Sequence, residues 1–251
     1  MASIVTGRRP GPKPPLPAGA LPFRRRLLSW YARHRRRLPW RGVRDPYAVL
    51  VSEIMLQQTQ VARVLEFYPR FLARYPTLED LAAAPADAVR ESWDGLGYYA
   101  RARNLHAAAR AVVKKLGGRL PRRAEELRAL PGIGRYTAGA VASLAFGADV
   151  PAVDTNAARV LARVFGLRRR PKSARRERRV WALAAALVPR GRSGDWNQAL
   201  MDLGARYCVA RRPRCRDCPV RGSCATGRAR VDRKGLLSPT SEKATRRRGG
   251  K

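Results

Sequence analysis

Apolar residues recur at helical spacing through most of this chain. Alanine, leucine and arginine dominate, and the alternation of β-branched and polar residues that marks strands is nearly absent. The pattern therefore predicts an all-α fold. Proline and glycine divide it into predicted helices over residues 21–35, 47–57, 60–74, 86–93, 98–116, 124–130, 136–146, 155–166, 177–188 and 196–206.

The two ends of the chain differ from this helical centre. Residues 1–20 are rich in proline, glycine and basic residues, and residues 225–251 are polar and basic. Neither segment has enough apolar side chains to offset the entropy of ordering, so we expect a disordered leader and a disordered tail. The folded region is predicted to span residues 21–224.

The charge balance limits what the folded region binds. The chain has 251 residues, with 53 Lys and Arg against 18 Asp and Glu, a formal net charge of +35. A chain with 45% hydrophobic residues can still bury a core, so we expect a folded cation that binds a polyanion. Nucleic acid is favoured over a membrane because no amphipathic anchor or lipidation motif is evident.

The location of the protein follows from features that the sequence lacks. It has no apolar run of 18 residues and no apolar core of a secretory signal near its start, which predicts a cytoplasmic, nucleoid-associated protein. Residues 168–179 hold eight basic residues and one acid, Glu177, and we interpret this run as a solvated linker and helix face rather than a direct DNA contact. We expect a monomer.

Four cysteines lie within 17 residues, at Cys208, Cys215, Cys218 and Cys224. Disulfides are uncommon in the cytoplasm, so metal binding is the first alternative. Four thiolates can hold a [4Fe-4S] cluster or one zinc ion, and only one CxxC pair is present, which favours the cluster over zinc and over unligated thiols. Arginines interleaved with the cysteines suit a loop that faces DNA.

A turn between two predicted helices has the form of a helix-hairpin-helix. Pro131 ends the first helix, and Gly132 and Gly134 allow a tight turn with exposed backbone. The N–H groups that open the next helix at Arg135 can bind a phosphate oxygen. A PGxG sequence also occurs at helix corners for geometry alone, but the positive charge of this chain favours phosphate binding.

Two acids are candidates for chemistry. Asp154 opens a helix and is at least an N-cap; a carboxylate at that place is also the fixed anion that an electron-deficient sugar carbon needs. Glu53 lies among apolar residues on a helix, where burial raises a pKa and allows proton donation. The alternative for Glu53 is a surface carboxylate paired with an arginine.

Several polar and aromatic residues suit contact with bases. Gln57, Gln58 and Gln60 at a helix end offer amides for base edges, although solvated helix ends are equally common. Trp93, Tyr98 and Tyr99 flank a Gly-Leu-Gly turn from which a ring can enter a base stack. Trp93 also suits a helical core, whereas adjacent Tyr98 and Tyr99 cannot both face one core.

Together these motifs resemble the helix-hairpin-helix DNA glycosylases with an iron-sulfur cluster, and most closely the adenine DNA glycosylase (MutY) family. The matching segments are LPWR at 38–41, SEIMLQQTQVARV at 52–64, GLGYYARARNLH at 95–106, LPGIGRYTAGAV at 130–141, PAVDTNAARVLAR at 151–163 and NQALMDLGARYC at 197–208, followed by the remaining cysteines. The resemblance implies a [4Fe-4S] cofactor. It also implies a six-helix-type subdomain at about 46–150, and an iron-sulfur subdomain formed by about 21–45 and 151–224.

The resemblance also implies roles for individual residues. Glu53 protonates the flipped base, at purine N7; Asp154 stabilises or captures the oxocarbenium sugar; and Asn156 orients Asp154 and water. Tyr136 stands where endonuclease III has lysine, and a phenol can hydrogen-bond Asp154 but cannot form an imine, so a monofunctional glycosylase is implied. The residues implied to line the base pocket are Trp40, Arg41 and Gln198. Gln57 and Tyr98 are implied to hold the duplex open.

The implied substrate is double-stranded DNA in which adenine is mispaired with guanine or 8-oxoguanine. We expect the C-terminal nudix-like domain of full-length members to be absent, which leaves recognition of 8-oxoguanine open. Thr155 stands where many adenine-specific members have glycine, and with Tyr136 it also resembles thymine-DNA mismatch glycosylases. The alternatives are therefore a thymine or uracil glycosylase acting on G:T or G:U mismatches, and a non-catalytic DNA-binding protein with a metal-stapled loop.

Overall fold

The computed structural model describes residues 15–167 and 173–229. Within these ranges the fold is all-α, which confirms the predicted class. The helices are α1 Ala20–His34, α2 Pro46–Met55, α3 Val61–Arg74, α4 Leu78–Ala83, α5 Ala86–Glu91, α6 Ala100–Leu116, α7 Ala124–Leu127, α8 Arg135–Leu144, α9 Thr155–Val164, α10 Ala174–Leu187 and α11 Ser193–Arg206, followed by a 3-10 turn at Arg221–Ser223.

Most helices begin or end where the sequence signals indicate. Asp45 caps α2 by accepting hydrogen bonds from the N–H groups of Tyr47 and Ala48, and Pro46 occupies the first turn. Helix α4 is an addition to the predicted set. It is six residues long and begins with a capping box between Thr77 and Asp80, a signal that its short length obscured.

The buried apolar side chains form two cores. One contains side chains from α2 to α8, with the fully buried Trp93 near its centre. The other packs α1 against α9, α10 and α11, around Phe23 and Trp196. Helix α11 contacts α8 as well as α9, so the two cores meet along α11.

The ordered chain extends beyond the boundary that the sequence suggested. Residues 225–229 form a helical turn inside the segment expected to be disordered, and Thr226 donates a hydrogen bond to the carbonyl of Arg163. The rest of that tail, most of the leader, and residues 168–172 of the basic run lie outside the described residues. None of the described helices combines the length and apolar character needed to cross a membrane.

Candidate active site

Glu53 lies on α2 with only 5% of its surface exposed. The Tyr136 hydroxyl donates a hydrogen bond of 2.6 Å to its Oε2 atom. Burial raises the pKa of Glu53 to about 7, further supported by the charge of Asp154 and opposed by the Tyr136 bond and Arg41. A carboxyl group with this pKa is protonated in a substantial fraction of molecules at neutral pH, so it can donate a proton.

Tyr136 makes a different contact from the one expected. The sequence suggested a hydrogen bond to Asp154, and this was wrong: the phenol donates to Glu53. The physical reason is that α8 packs against α2 and places the Tyr136 hydroxyl at the Glu53 carboxylate. Burial and the Glu53 carboxylate raise the pKa of Tyr136 well above its usual value, so the phenol remains a donor.

Asp154 is a helix cap whose carboxyl group is held in place by two hydrogen bonds. Its Oδ1 accepts a 2.6 Å bond from the N–H of Ala157, and its Oδ2 accepts a 2.8 Å bond from the Asn156 amide. The second bond is the contact expected of Asn156. Arg159 donates to the Asn156 carbonyl oxygen at 2.6 Å, which fixes the amide with its N–H groups toward Asp154.

Two contacts hold the segment before Asp154 against α8 and α11. A Cβ at Gly139 of α8 would lie 2.2 Å from the Pro151 carbonyl oxygen, so only glycine lets α8 approach the segment before Asp154. Asn197 of α11 then anchors that segment, accepting from the Ala152 N–H and donating to the Val150 carbonyl at 3.1 and 3.0 Å. Asn197 was not singled out from the sequence; its amide is buried and bonds α11 to the segment before Asp154.

The candidate base-pocket residues share one cavity. Trp40, Arg41 and Gln198 line a cavity of about 580 Å³ together with Tyr31. The Tyr31 hydroxyl donates to the Gln198 Oε1 atom, which leaves the amide N–H groups of Gln198 as donors. Trp40 is otherwise part of the core, packed edge-on against Tyr68.

Asp202 is a residue that the sequence reasoning missed. It is fully buried on α11, and its two oxygens accept bonds of 2.6 and 2.8 Å from Arg41. Arg36 donates to the same carboxylate at 2.7 Å. These arginines hold the pKa of Asp202 below its usual range despite its burial. The sequence signal that could have identified Asp202 is an acidic residue one helical turn after Gln198, on an apolar helix face.

The residues expected to open the duplex lie in two neighbouring turns. Tyr98 is 61% exposed and has a left-handed backbone, with φ of 52°, and Gln58 is exposed with φ of 55°. Gln57 is half-buried, and its amide donates to the Thr137 hydroxyl at 3.3 Å. Trp93 belongs to the core, and Tyr99 is partly exposed, consistent with the expectation that the two tyrosines cannot face one core.

The predicted hairpin joins α7 and α8. Gly132 has φ of 71°, and Gly134 precedes α8 in extended backbone with no side-chain cap. The first N–H groups of α8 therefore have no side-chain partner at this cap. The Arg135 guanidinium stacks on the Trp181 ring at 3.9 Å, so this side chain joins the hairpin to α10, and the backbone rather than the side chain is the candidate phosphate contact.

The four cysteines are close enough to affect one another electrostatically. Burial raises the pKa of Cys218 to about 11, and the neighbouring Cys208, Cys224 and Cys215 add to the increase. The Gly227 N–H donates to the Cys224 sulfur at 3.2 Å. In the described part of the chain, no three His, Cys, Asp or Glu side chains converge closely enough to hold a single metal ion.

Two arginines of α9 join the cysteine loop to the rest of the site. Arg163 donates to the carbonyls of Val209 and Ala210, and one of its nitrogens lies 3.4 Å from the Cys208 sulfur. Arg159, which fixes Asn156, also donates to the Cys208 carbonyl at 2.6 Å. One hydrogen-bonded chain therefore runs from the cysteine loop through Arg159 and Asn156 to Asp154.

The fold combines two helical cores, a hairpin whose second helix has no side-chain cap, and two acids, Glu53 and Asp154. These features together define a class of base-excision proteins. The family profile described as HhH-GPD superfamily base excision DNA repair protein matches residues 51–185. The chain belongs to this superfamily.

Several relatives are more specific in name. The chain is 50% identical over 228 residues to the adenine DNA glycosylase of Homo sapiens, covering 87% of this chain and 42% of that protein. It is 37% identical to the thymine-DNA glycosylase of Aeropyrum pernix, covering 80% of this chain and 92% of that protein. The chain therefore spans about two fifths of the length of its human relative and nearly all of the archaeal one.

Solved structures give the same fold. The structure of a thermostable thymine-DNA glycosylase superposes with a TM-score of 0.76 at 34% identity, covering 84% of this chain and 97% of that one. A non-covalent endonuclease III-DNA complex superposes with a TM-score of 0.70 at 28% identity, covering 85% of this chain and 98% of the other.

Proposed function

We propose that this protein is a monofunctional DNA N-glycosylase that excises adenine mispaired with guanine or 8-oxoguanine. The observation that carries the proposal is the pair of unlike acids: a buried, protonatable Glu53 and a half-buried Asp154 held by Asn156 and its own helix. Pairs of carboxyl groups in unlike surroundings are typical of enzymes that cleave glycosidic bonds. The adenine-specific name of the human relative supports the choice of base.

The reaction uses the two acids in sequence. Glu53 donates its proton to N7 of the flipped adenine, the C1′–N9 bond breaks with its electrons going to the base, and Asp154 stabilises the cationic sugar. Water then adds to C1′ and gives up a proton, which the Glu53 carboxylate left by the first step accepts, so that the acid is restored for the next turnover. Negative charge beside C1′ is useful only while the sugar is cationic, so this contact stabilises the transition state more than the substrate.

Strand cleavage is not part of this reaction. An imine with the opened sugar requires an amine, and Tyr136 presents a phenol at the first turn of α8. Through its bond to Glu53 the phenol instead orients the acid and lowers the pKa that burial raises. We therefore expect an abasic site with an intact strand as the product.

Recognition of adenine is assigned to the cavity around Gln198. Because Tyr31 fixes the carbonyl end of the Gln198 amide, donors remain, and these suit the ring nitrogens of a purine. Arg41 is held rigidly by Asp202 at the cavity wall beside Trp40.

DNA contacts are assigned to three surfaces. The backbone at Gly132, Gly134 and the start of α8 binds a phosphate, and Gln57, Gln58 and Tyr98 hold the duplex open after the base has left the stack.

The partner is double-stranded DNA bound by a monomer, and this substrate would place the protein at the nucleoid. The two buried cores would correspond to the six-helix-type subdomain, at about 46–150, and the iron-sulfur subdomain, formed by about 21–45 and 151–224.

A [4Fe-4S] cluster is assigned to Cys208, Cys215, Cys218 and Cys224. The donor set fits: four soft thiolates in one loop, with N–H donors near two of the sulfurs. A cube binds each thiolate at a separate iron, so the sulfurs need not converge on one point as they must for zinc. When bound, the cluster would hold the loop to which Arg159 and Arg163 are bonded.

Purified holoprotein should be brown and contain four irons per chain; a colourless protein with one zinc would contradict the assignment.

The substrate is tested with four duplexes that carry A opposite 8-oxoguanine, A opposite G, T opposite G, and U opposite G. After incubation, alkali cleaves the strand wherever a base has been removed. We expect cleavage at adenine in the first two duplexes. Cleavage only at T or U would replace the adenine assignment, and no cleavage of any duplex by the holoprotein would favour a non-catalytic DNA-binding protein.

The thymine or uracil alternative has its own support. The archaeal thymine-DNA glycosylase is matched over 92% of its length, and the structure of a thermostable thymine-DNA glycosylase gives a TM-score of 0.76. The duplex series separates the two functions because it presents both kinds of target to the same preparation.

A further inference from the structure

Arg101 makes an unusual set of contacts in the first turn of α6. Its side chain is buried, with 8% of the residue exposed. Nη1 donates to the carbonyls of Ile54, Met55 and Gln57 at 3.1, 2.7 and 2.6 Å. Nη2 donates to two further carbonyls, those of Leu96 and Gly97, at 3.3 and 2.9 Å. One guanidinium thus binds the end of α2 and the turn before α6.

These two segments carry the candidate duplex-opening residues. The first ends at Gln57 and Gln58, and the second leads directly to Tyr98. Each contains a non-glycine residue with positive φ, 55° at Gln58 and 52° at Tyr98, a strained conformation that persists only when the surroundings enforce it. The Arg101 guanidinium also lies 5.5 Å from the centre of the Tyr98 ring.

The electrostatics of Arg101 indicate that it provides geometry rather than net stability. Burial lowers its pKa, and its hydrogen-bond acceptors within the described chain are carbonyls rather than a carboxylate. A buried cation without a counter-ion is costly; here the carbonyl dipoles at the end of α2 compensate for the lost water. The two Nη groups of this planar guanidinium serve five carbonyls on two segments at once, with one N–H shared, while the buried Nε has no hydrogen-bond partner in the described chain. A lysine ammonium has only three donors, all at one point.

We propose that Arg101 is a positioning residue that fixes the Gln57-Gln58 turn and the Tyr98 turn to each other, so that they enter the duplex as one rigid wedge. This inference rests on the proposed function for the identity of the wedge. Arg101 itself does not contact DNA; it acts through the backbone of the residues that do.

The first measurement is made on the DNA-free holoprotein. Hydrogen exchange followed by mass spectrometry should show that Arg101→Met accelerates exchange in both turns, residues 56–60 and 95–99, and leaves α8 and α9 unchanged. Acceleration in neither turn, or in one turn only, would overturn the proposal, because a single clamp must release both.

The second measurement follows base flipping. In an Asp154→Asn background, 2-aminopurine replaces the target adenine opposite guanine, and its fluorescence rises when it leaves the stack. We expect Arg101→Met to abolish the rise while duplex binding, measured by anisotropy, changes less than about threefold. With Asp154 intact, the single-turnover excision rate should fall on the order of a hundredfold, the effect of misplacing a reacting group by about 1 Å.

Two controls separate positioning from stability and from charge. Leu105→Ala removes a buried side chain from the same helix and should lower stability while retaining the fluorescence rise. Arg110→Met removes an exposed charge from α6 and should change neither turn. If Leu105→Ala loses flipping in proportion to its stability, the role of Arg101 is merely structural and the proposal is wrong.

A conservative variant keeps the test decisive if Arg101→Met does not fold. Arg101→Lys retains the charge and fewer bonds, and it should give intermediate exchange and flipping; wild-type behaviour in both would overturn the proposal. Absence of any fluorescence rise when Arg101 is intact would contradict the proposed function instead, and the exchange experiment would still decide whether Arg101 couples the two turns.

Discussion

Replacing Glu53 with glutamine isolates the energetic cost of a buried acid. Glutamine has nearly the same shape, and its carbonyl oxygen can accept the Tyr136 hydrogen bond that Glu53 accepts now. It differs in carrying no charge at any pH. The variant should therefore be more stable than the wild type wherever the wild type must bury a carboxylate anion.

The magnitude follows from the pKa of Glu53. In the folded protein it is about 7, above its ordinary value of 4.5, so the wild type loses stability as pH rises between these values. The difference corresponds to about 3 kcal/mol. Below pH 4.5 both proteins are neutral at this position and should be equally stable. Above pH 7 Glu53→Gln should be the more stable by about 3 kcal/mol.

The assay is reversible urea unfolding of both holoproteins, followed by circular dichroism, between pH 5 and pH 8. The gain in unfolding free energy should grow through this range. The exposed Glu91 provides a matched control, since Glu91→Gln makes the same change at a carboxyl group that is not buried. A gain that is absent or independent of pH would refute the conclusion that Glu53 is destabilised by burial.

Three further changes test the surrounding geometry. Tyr136→Phe removes the bond that lowers the pKa of Glu53, so the decline of single-turnover excision with rising pH should move to higher pH; an unchanged profile would argue against Glu53 as the acid. Gly139→Ala should cost about 1–3 kcal/mol in urea unfolding and slow excision, because its Cβ would meet the Pro151 carbonyl oxygen; wild-type values would show that the contact can relax. Asp202→Asn should lower the free energy of unfolding by about 3–5 kcal/mol at neutral pH, because it leaves two arginines without their acid. The deficit should shrink in acid as the wild-type carboxylate is protonated, and a constant deficit would contradict this.

The sequence predicted the class of fold because helical periodicity and helix-ending residues are local signals. Asp45 and Pro46 specify the start of α2 within a few residues, and Gly117 ends α6 in left-handed backbone. Local signals are weaker where an element is short. Helix α4 is held by packing of Leu78 and Leu81 into the first core, which no local pattern shows.

The site was predicted less completely because its partners are distant in the chain. Glu53 and Asp154 were predicted, but the Tyr136 contact was assigned to the wrong acid, since the choice depends on how α8 packs against α2. Asp202 and Arg101 were missed for the same reason. Asp202 binds Arg41, which lies 161 residues away in sequence, and Arg101 binds the carbonyl of Met55, which lies 46 residues away.

The arginines of this chain serve more than one purpose. A net charge of +35 favours assigning them to DNA, yet several are structural. Arg24 donates to the carbonyl of Leu187 at 2.7 Å and fixes the end of α10, and Arg163 binds the cysteine loop. Such arginines should contribute little to the salt dependence of DNA binding, because side chains that are bonded to carbonyls within the fold are not available to contact phosphates.

The proposed reaction is tested most directly by identifying the free base and the state of the strand after one turnover of a duplex with adenine opposite 8-oxoguanine. Mass spectrometry of the released base and denaturing electrophoresis of the DNA, repeated from pH 5 to pH 9, measure both. We predict free adenine, a strand that breaks only after alkali, and a rate that declines as pH rises past about 7 while Glu53 loses its proton. Strand breakage before alkali, or a rate that does not decline, would contradict the proposed mechanism.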